Sequence, residues 1–142
     1  MKRAAAFALL IAAVLVAGVR ATTSPTKIPC PAASLLDSAL GVSVKAPTST
    51  IYSVYAKTCS YAGTKGQSPI RVEFQTDTAA TFAASEKAVK NLGVVTVKGL
   101  GQAAWTLKVG GDLYVYDNGV TLKIIAPLIA TPTLEALARK LL

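Results

Sequence analysis

Two cysteines, Cys30 and Cys59, in a chain with no histidine restrict this sequence more than any other feature. A cysteine in such a chain can anchor a lipid, hold a metal, attack a substrate or staple the fold. Lipid attachment needs a cysteine directly behind an apolar signal core, whereas Cys30 follows Lys27-Ile28-Pro29. A structural zinc site needs four ligands, which two isolated cysteines cannot supply. A cysteine nucleophile would lack its usual imidazole base. What remains is a Cys30–Cys59 bridge, and a bridge requires an oxidising compartment.

The N-terminus points to such a compartment. Lys2 and Arg3 precede an uncharged run from Ala4 to Val19, and Val19-Arg20-Ala21 offers small residues where signal peptidase reads. Residues 1–21 are therefore expected to be a signal peptide cleaved after Ala21, and the protein to be secreted or periplasmic. The run falls short of the roughly 18 to 20 residues that span a bilayer, so an uncleaved anchor is the lesser alternative. Removing Lys2, Arg3 and Arg20 lowers the net charge of +8 to +5. The remaining lysines are scattered singly from Lys27 to Lys140, without the basic runs of nucleic-acid arms or polybasic membrane segments. No nucleic-acid partner and no membrane insertion after cleavage are expected. An anionic envelope component or an envelope or secreted protein suits the charge.

The mature chain reads as a flexible tail over residues 22–29 and one α+β domain over residues 30–142. Pro31 suits the start of a helix whose stripe is Leu35, Leu36, Ala39 and Leu40 and which Gly41 ends. Strands are expected near Ile51 to Tyr61 and Ile70 to Gln75. In the second, Ile70, Val72 and Phe74 alternate with Arg71, Glu73 and Gln75. Asp77 or Thr78 can cap the next helix, with Phe82, Val89 and Leu92 inward and Gly93 as terminator; a Glu86–Lys90 pair would support it. Residues 94–126 are strand-rich, and Thr131-Pro132 opens a last helix with Leu134, Leu137, Ala138 and Leu141 inward. The sum is a twisted antiparallel sheet of about five strands with about three helices mainly on one face.

Turn chemistry sets the registers of the segment from Trp105 to Ile125. A two-residue Asn118-Gly119 turn pairs Tyr114 with Lys123 and Val115 with Leu122. A three-residue loop over Val109 to Gly111 then sends Trp105, Leu107, Leu113, Val115, Leu122 and Ile124 to the core. The opposite face gathers Lys108, Tyr114, Tyr116 and Lys123, which suit a partner with apolar and anionic parts and form the candidate binding face. The same residues also suit a merely solvated strand face.

No catalytic residue, cofactor site or metal site is assigned. Gly99-Leu-Gly101-Gln-Ala-Ala104 fits G-x-G-x-x-A, but a strand-type alternation comes after it where a dinucleotide site needs a helix. Ser24-Pro-Thr-Lys27 matches S-x-x-K, yet it lies in the tail without partner motifs. Asp112 and Asp117 are a carboxylate pair flanking one strand, near opposite turns.

A proline-flanked cysteine opening a helix that ends in Leu40-Gly41, then Thr58-Cys59-Ser60-Tyr61, then Gly99-Leu-Gly101-Gln-Ala-Ala104 before a terminal meander, is a familiar order. Over residues 28 to 126 it resembles the small two-cysteine domains of unknown function in bacterial, mainly actinobacterial, cell-envelope proteins. Many of those are lipoproteins, and this sequence departs from them in lacking the lipobox. The resemblance implies an α+β envelope domain without known catalytic residues. The expected function is a non-enzymatic binding or accessory module of the envelope or periplasm. A secreted hydrolase inhibitor, acting through the Gly63–Pro69 loop or the tyrosine face, is the alternative, and an enzyme using carboxylates alone is a third.

N-terminal sequencing of the protein recovered from an expressing cell should begin at Thr22; full-length chain confined to the membrane fraction would show an anchor instead.

Overall fold

The structure, a computed structural model, describes residues 24–142; the expected signal peptide of residues 1–21 and its cleavage site lie outside the described residues. Among the described residues, seven antiparallel strands form one sheet: β1 (Thr48–Ser53), β2 (Ala56–Tyr61), β3 (Ile70–Thr76), β4 (Val94–Thr96), β5 (Ala103–Leu107), β6 (Asp112–Asp117) and β7 (Val120–Ile125). Their spatial order is β1-β2-β3-β7-β6-β5-β4. Three helices accompany them: α1 (Ala33–Leu40), α2 (Ala79–Ala88) and α3 (Thr131–Leu141). The fold is α+β, as the sequence predicts.

One face of the sheet carries the main core. Val72, Leu113, Val115 and Ile124 point there and are fully buried beneath Leu36 of α1 and Leu134, Leu137 and Ala138 of α3. Helix α1 ends where Gly41 adopts the left-handed conformation at φ 66°, which costs a glycine nothing. Helix α3 buries one stripe because its leucines recur at helical spacing, and Arg139 reaches Glu135 one turn back.

The N-terminal segment is laid across this core face. Residues 22–29 read as a flexible tail, yet from Ser24 onward the chain makes a 3₁₀ turn over Pro25–Lys27 with Pro25 buried. Three alternate residues of β2 hold the next stretch, Ile28 to Pro31. Lys57 Nζ donates to the Ile28 carbonyl at 2.7 Å, Cys59 is bridged to Cys30, and the buried Tyr61 hydroxyl donates to the Pro31 carbonyl at 2.7 Å. Residues two apart on a strand share a face, so the row 57, 59, 61 acts as one clamp. Burial also pushes the Tyr61 phenol well above its usual pKa.

Three expectations need correction. The strand expected over Ile51 to Tyr61 is a hairpin, β1 and β2, turning at Val54-Tyr55. Neither turn residue has a positive φ, so no glycine or asparagine marks the turn. With the short β4 this raises the strand count to seven. The helix expected to run to Gly93 ends at Ala88, ahead of a 3₁₀ turn over Lys90–Leu92, and Leu92 is 54% exposed; α1 and α3 cover one face, as expected, and α2 lies on the other, where Phe82 meets Trp105 and Tyr116.

The third correction is a one-residue slip. The β6–β7 register is as expected, with Tyr114 opposite Lys123 and Val115 opposite Leu122. Asn118 at φ 46° and Gly119 at φ 81° make the tight turn that their sequence signals. Strand β5, however, pairs Trp105 with Tyr114 and Thr106 with Leu113, because the connection spans Lys108 to Gly111 and not Val109 to Gly111. Trp105 and Leu107 therefore join the tyrosine face, and Thr106 turns to the core. The shorter loop would suit a sheet with one wet face. Here α2 covers the second face too, and alternation loses its power to choose.

The Gly99–Ala104 segment supports β5 and β6. Leu100 is buried in the core, and Gly101, at φ 57°, lies so close to β6 that a Cβ there would stand 2.7 Å from the Tyr116 carbonyl oxygen. Only glycine fits that approach.

The bridge closes a sequence separation of 29 residues with a Cα–Cα distance of 5.7 Å. Loop-closure entropy assigns such a loop about 3.5 kcal/mol. Replacing both Cys30 and Cys59 with serine should lower the unfolding free energy by about that amount in urea titrations.

Candidate functional site

The second face of the sheet holds the residues that the sequence singles out. Tyr114 stacks on Trp105 with ring centroids 3.7 Å apart and planes 12° from parallel. Phe82 of α2 sits over this pair, 6.1 Å from Trp105, and touches Tyr116 at 5.7 Å. Trp105 is only 3% exposed, and both tyrosines are half-buried. This is a small aromatic layer under a helix, and its rings are fixed by one another.

Charge surrounds it. Lys123 pairs with Glu73 at 3.6 Å, directly across the β3–β7 ladder, and its ammonium lies 5.3 Å from the Tyr114 ring centre. The Tyr114 hydroxyl donates to Asp112 Oδ2 at 3.4 Å. Burial, and after it the Asp112 carboxylate as charge and acceptor and the Glu73 charge, push the Tyr114 pKa up to about 12. Thr121 Oγ1 donates to Asp77 Oδ2 at 2.8 Å, fixing the approach to α2, whose N-terminus Thr78 caps by accepting from the Thr81 amide.

The structure thus brings together Tyr114, Tyr116 and Lys123 of the candidate face and leaves out Lys108. The latter comes after Leu107 with opposite side-chain direction, and its stem packs at Gly93 beyond the β4–β5 ladder. Asp112 and Asp117 stand at the two ends of β6, about 17 Å apart by strand rise, so they do not converge. The Gly63–Pro69 loop is pinned through Gln67, whose Oε1 accepts from the Ser43 amide at 2.7 Å. Among the described residues no group of three or more metal-ligating side chains occurs, and no helix is long and apolar enough to cross a membrane.

A surface missed by sequence reasoning lies at the far edge of the sheet. Ile51, Tyr52, Val54 and Tyr55, at the tip of the β1–β2 hairpin, are 57%, 72%, 66% and 64% exposed. All six residues of β1 are exposed, and none is charged or proline. Edge strands are usually blunted by lysine or proline, and this one has only a bulge between Ile51 and Ser53. The signal is present as a β-branched and aromatic run, Ile51-Tyr52-Ser53-Val54-Tyr55. Read as part of one strand over Ile51 to Tyr61, it loses its meaning.

No family model matches the chain, and neither a curated protein nor a solved structure shows significant similarity to it.

The neutral Tyr114 phenol is favoured by folding, so its contribution is complete below pH 10.0, the unfolded value, and is lost as pH rises through about 12. Tyr114→Phe should flatten the alkaline fall in stability relative to the parent, checked by urea unfolding at about pH 9 and about pH 11.

Proposed function

We propose that the protein is an exported, non-enzymatic binding module of the cell envelope that engages a protein partner through its β1–β2 hairpin tip. One observation carries this reading: Ile51, Tyr52, Val54 and Tyr55 are four exposed large apolar side chains at the end of an uncharged edge strand and its turn. Such clusters contribute nothing to a core and lower solubility, and tyrosines beside aliphatic groups are common anchors at protein interfaces. The tip is rigidly presented, because β2 is clamped to the N-terminal segment by Cys59 and pairs with β3 along its whole length. Export is supported by the signal-like N-terminus and by the bridge.

The half-buried Tyr114 and Tyr116 fit this role less well, since their ring faces are engaged by Trp105 and Phe82. The exposed, disulfide-braced hairpin tip also favours the second reading, a hydrolase inhibitor, because an exposed hairpin turn with apolar side chains can enter an enzyme cleft. Both readings use the same four side chains.

A photoreactive side chain at Tyr52 should give a discrete adduct with an envelope protein that one at Lys108 does not. Tyr52→Ser/Tyr55→Ser should abolish binding of that protein while leaving stability within about 1 kcal/mol of the parent, as exposed substitutions do. Tyr114→Ser should instead cost roughly 2 kcal/mol through the lost stack. Undiminished binding by the hairpin variant would overturn the assignment.

A further inference from the structure

At the opposite edge of the sheet from the hairpin tip, α2 stands over the second face on a single buried side chain, Phe82. A helix of ten residues is marginal by itself and ordinarily depends on burying an apolar stripe. Here Ala79, Ala80, Ala83 and Ala84 remain exposed. Between α2 and β4 lies a groove of about 460 Å³, lined by Ala83, Glu86, Lys87, Lys90, Val94 and Thr96. A smaller hollow of about 230 Å³ continues on the other side of Ala83 and Glu86, over Ala103 and Tyr116. The larger space lies within the range of small-molecule sites.

Two features define what would fill it. The walls between helix and strand are methyl groups, from Ala83, Val94 and Thr96, which suit an apolar body. Lys87 and Lys90 lie on one side, and the ion pairs among the described residues involve neither. The expected Glu86–Lys90 pair does not form, because the α-helix ends at Ala88 and Lys90 sits in a 3₁₀ turn. With Glu86 offsetting one of them, the groove carries a single net positive charge. Trp105 Nε1 is buried without any hydrogen-bond partner among the described residues. Trp105 lies in the cross-strand row between Thr96, which lines the groove, and Tyr114. Trp105 does not line the groove, so it neighbours a ligand there without binding its head group.

We propose that the α2–β4 groove binds a single-chain carboxylate amphiphile, its tail against Ala83 and Val94 and its head toward Lys87 and Lys90. A monoanion matches the net charge, and a flexible alkyl chain matches the methyl walls. Binding would complete the packing of α2, whose one buried side chain is Phe82. This site is separate from the hairpin tip and does not rest on it.

Trp105 is the only tryptophan in the chain and pairs across the ladder with Thr96, which lines the groove, so its emission senses a ligand bound beside it. Titrating decanoate, below its micellar range, into the purified disulfide-bonded protein should give a saturable one-to-one change in Trp105 fluorescence. Decylamine should give none, and decanol should bind at least about tenfold more weakly, the ratio expected for one charge-assisted contact. Lys87→Gln and Lys90→Gln should each weaken decanoate by about tenfold at unchanged melting temperature. Ala83→Leu, which fills the groove from an exposed helix position, should abolish binding. Tyr52→Ser/Tyr55→Ser should bind decanoate like the parent. Equal binding of decanol and decanoate, or lysine variants that titrate like the parent, would show unspecific apolar adsorption and overturn the proposal.

Discussion

The clamp formed by Lys57, Cys59 and Tyr61 is the constraint on which the helical layer depends. These three side chains leave β2 on the core face and hold Ile28, Cys30 and Pro31 by an ammonium, a disulfide and a phenol. Helix α1 begins two residues later, at Ala33, so its position over the sheet is set before any of its leucines packs. Once α1 is placed, Leu36 and Leu40 define the groove that α3 fills with Leu134 and Leu137. The clamp works because every polar group in it is satisfied. A lysine and a tyrosine on a core face would otherwise be costly, and here each finds a backbone carbonyl that has no partner within a strand.

The two faces of the sheet are held by different physics. One is a continuous aliphatic core, closed by two helices. The other is polar over β1–β3, with Glu73 paired to Lys123, and aromatic over β5 and β6, where Trp105, Tyr114, Tyr116 and Phe82 stack. Function in this reading is displaced to the two edges, where the sheet runs out of cover. The hairpin edge exposes large side chains that nothing packs against. The β4 edge exposes a space that α2 does not fill. Neither feature serves stability, and both leave apolar atoms in contact with solvent.

Much of this is legible in the sequence, for reasons that particular residues make plain. The Cys30–Cys59 bridge emerges from elimination of the other cysteine chemistries. The β6–β7 register comes from Asn118-Gly119, because that pair fixes both loop length and turn type. Gly41 and Thr78 mark helix ends because caps are local chemistry, whereas Gly93 closes only the 3₁₀ turn that comes after α2. The failures share one cause, which is that periodicity reports burial and not what does the burying. Pattern alone sends Trp105 to the wrong face because both faces of β5 are covered. The hairpin at Val54-Tyr55 is invisible because its turn uses ordinary φ values and the turn residues, valine and tyrosine, are themselves strand formers. The 24–29 segment reads as a polar tail, and only the carbonyl-seeking Lys57 and Tyr61, far along the chain, show that it is held.

The β3–β7 ladder has a consequence for how the chain reaches this structure. Strands β1 to β3 form one meander and β4 to β7 another, and the pairing of Arg71 through Thr76 with Ile125 through Val120 is their sole strand-to-strand junction among the described residues. Val72 and Phe74 belong to the first half of the core and Leu122 and Ile124 to the second, so neither half is complete alone. The first meander is built of strands adjacent in sequence and can close early, while its β3 edge waits for a strand more than forty residues downstream. Non-local closure of this kind slows folding and leaves an unpaired edge open to other chains in the meantime. Arg71 and Glu73, alternating with the apolar residues of that edge, place opposite charges where a wrong strand would have to dock, the kind of charge placement that disfavours edge-to-edge pairing.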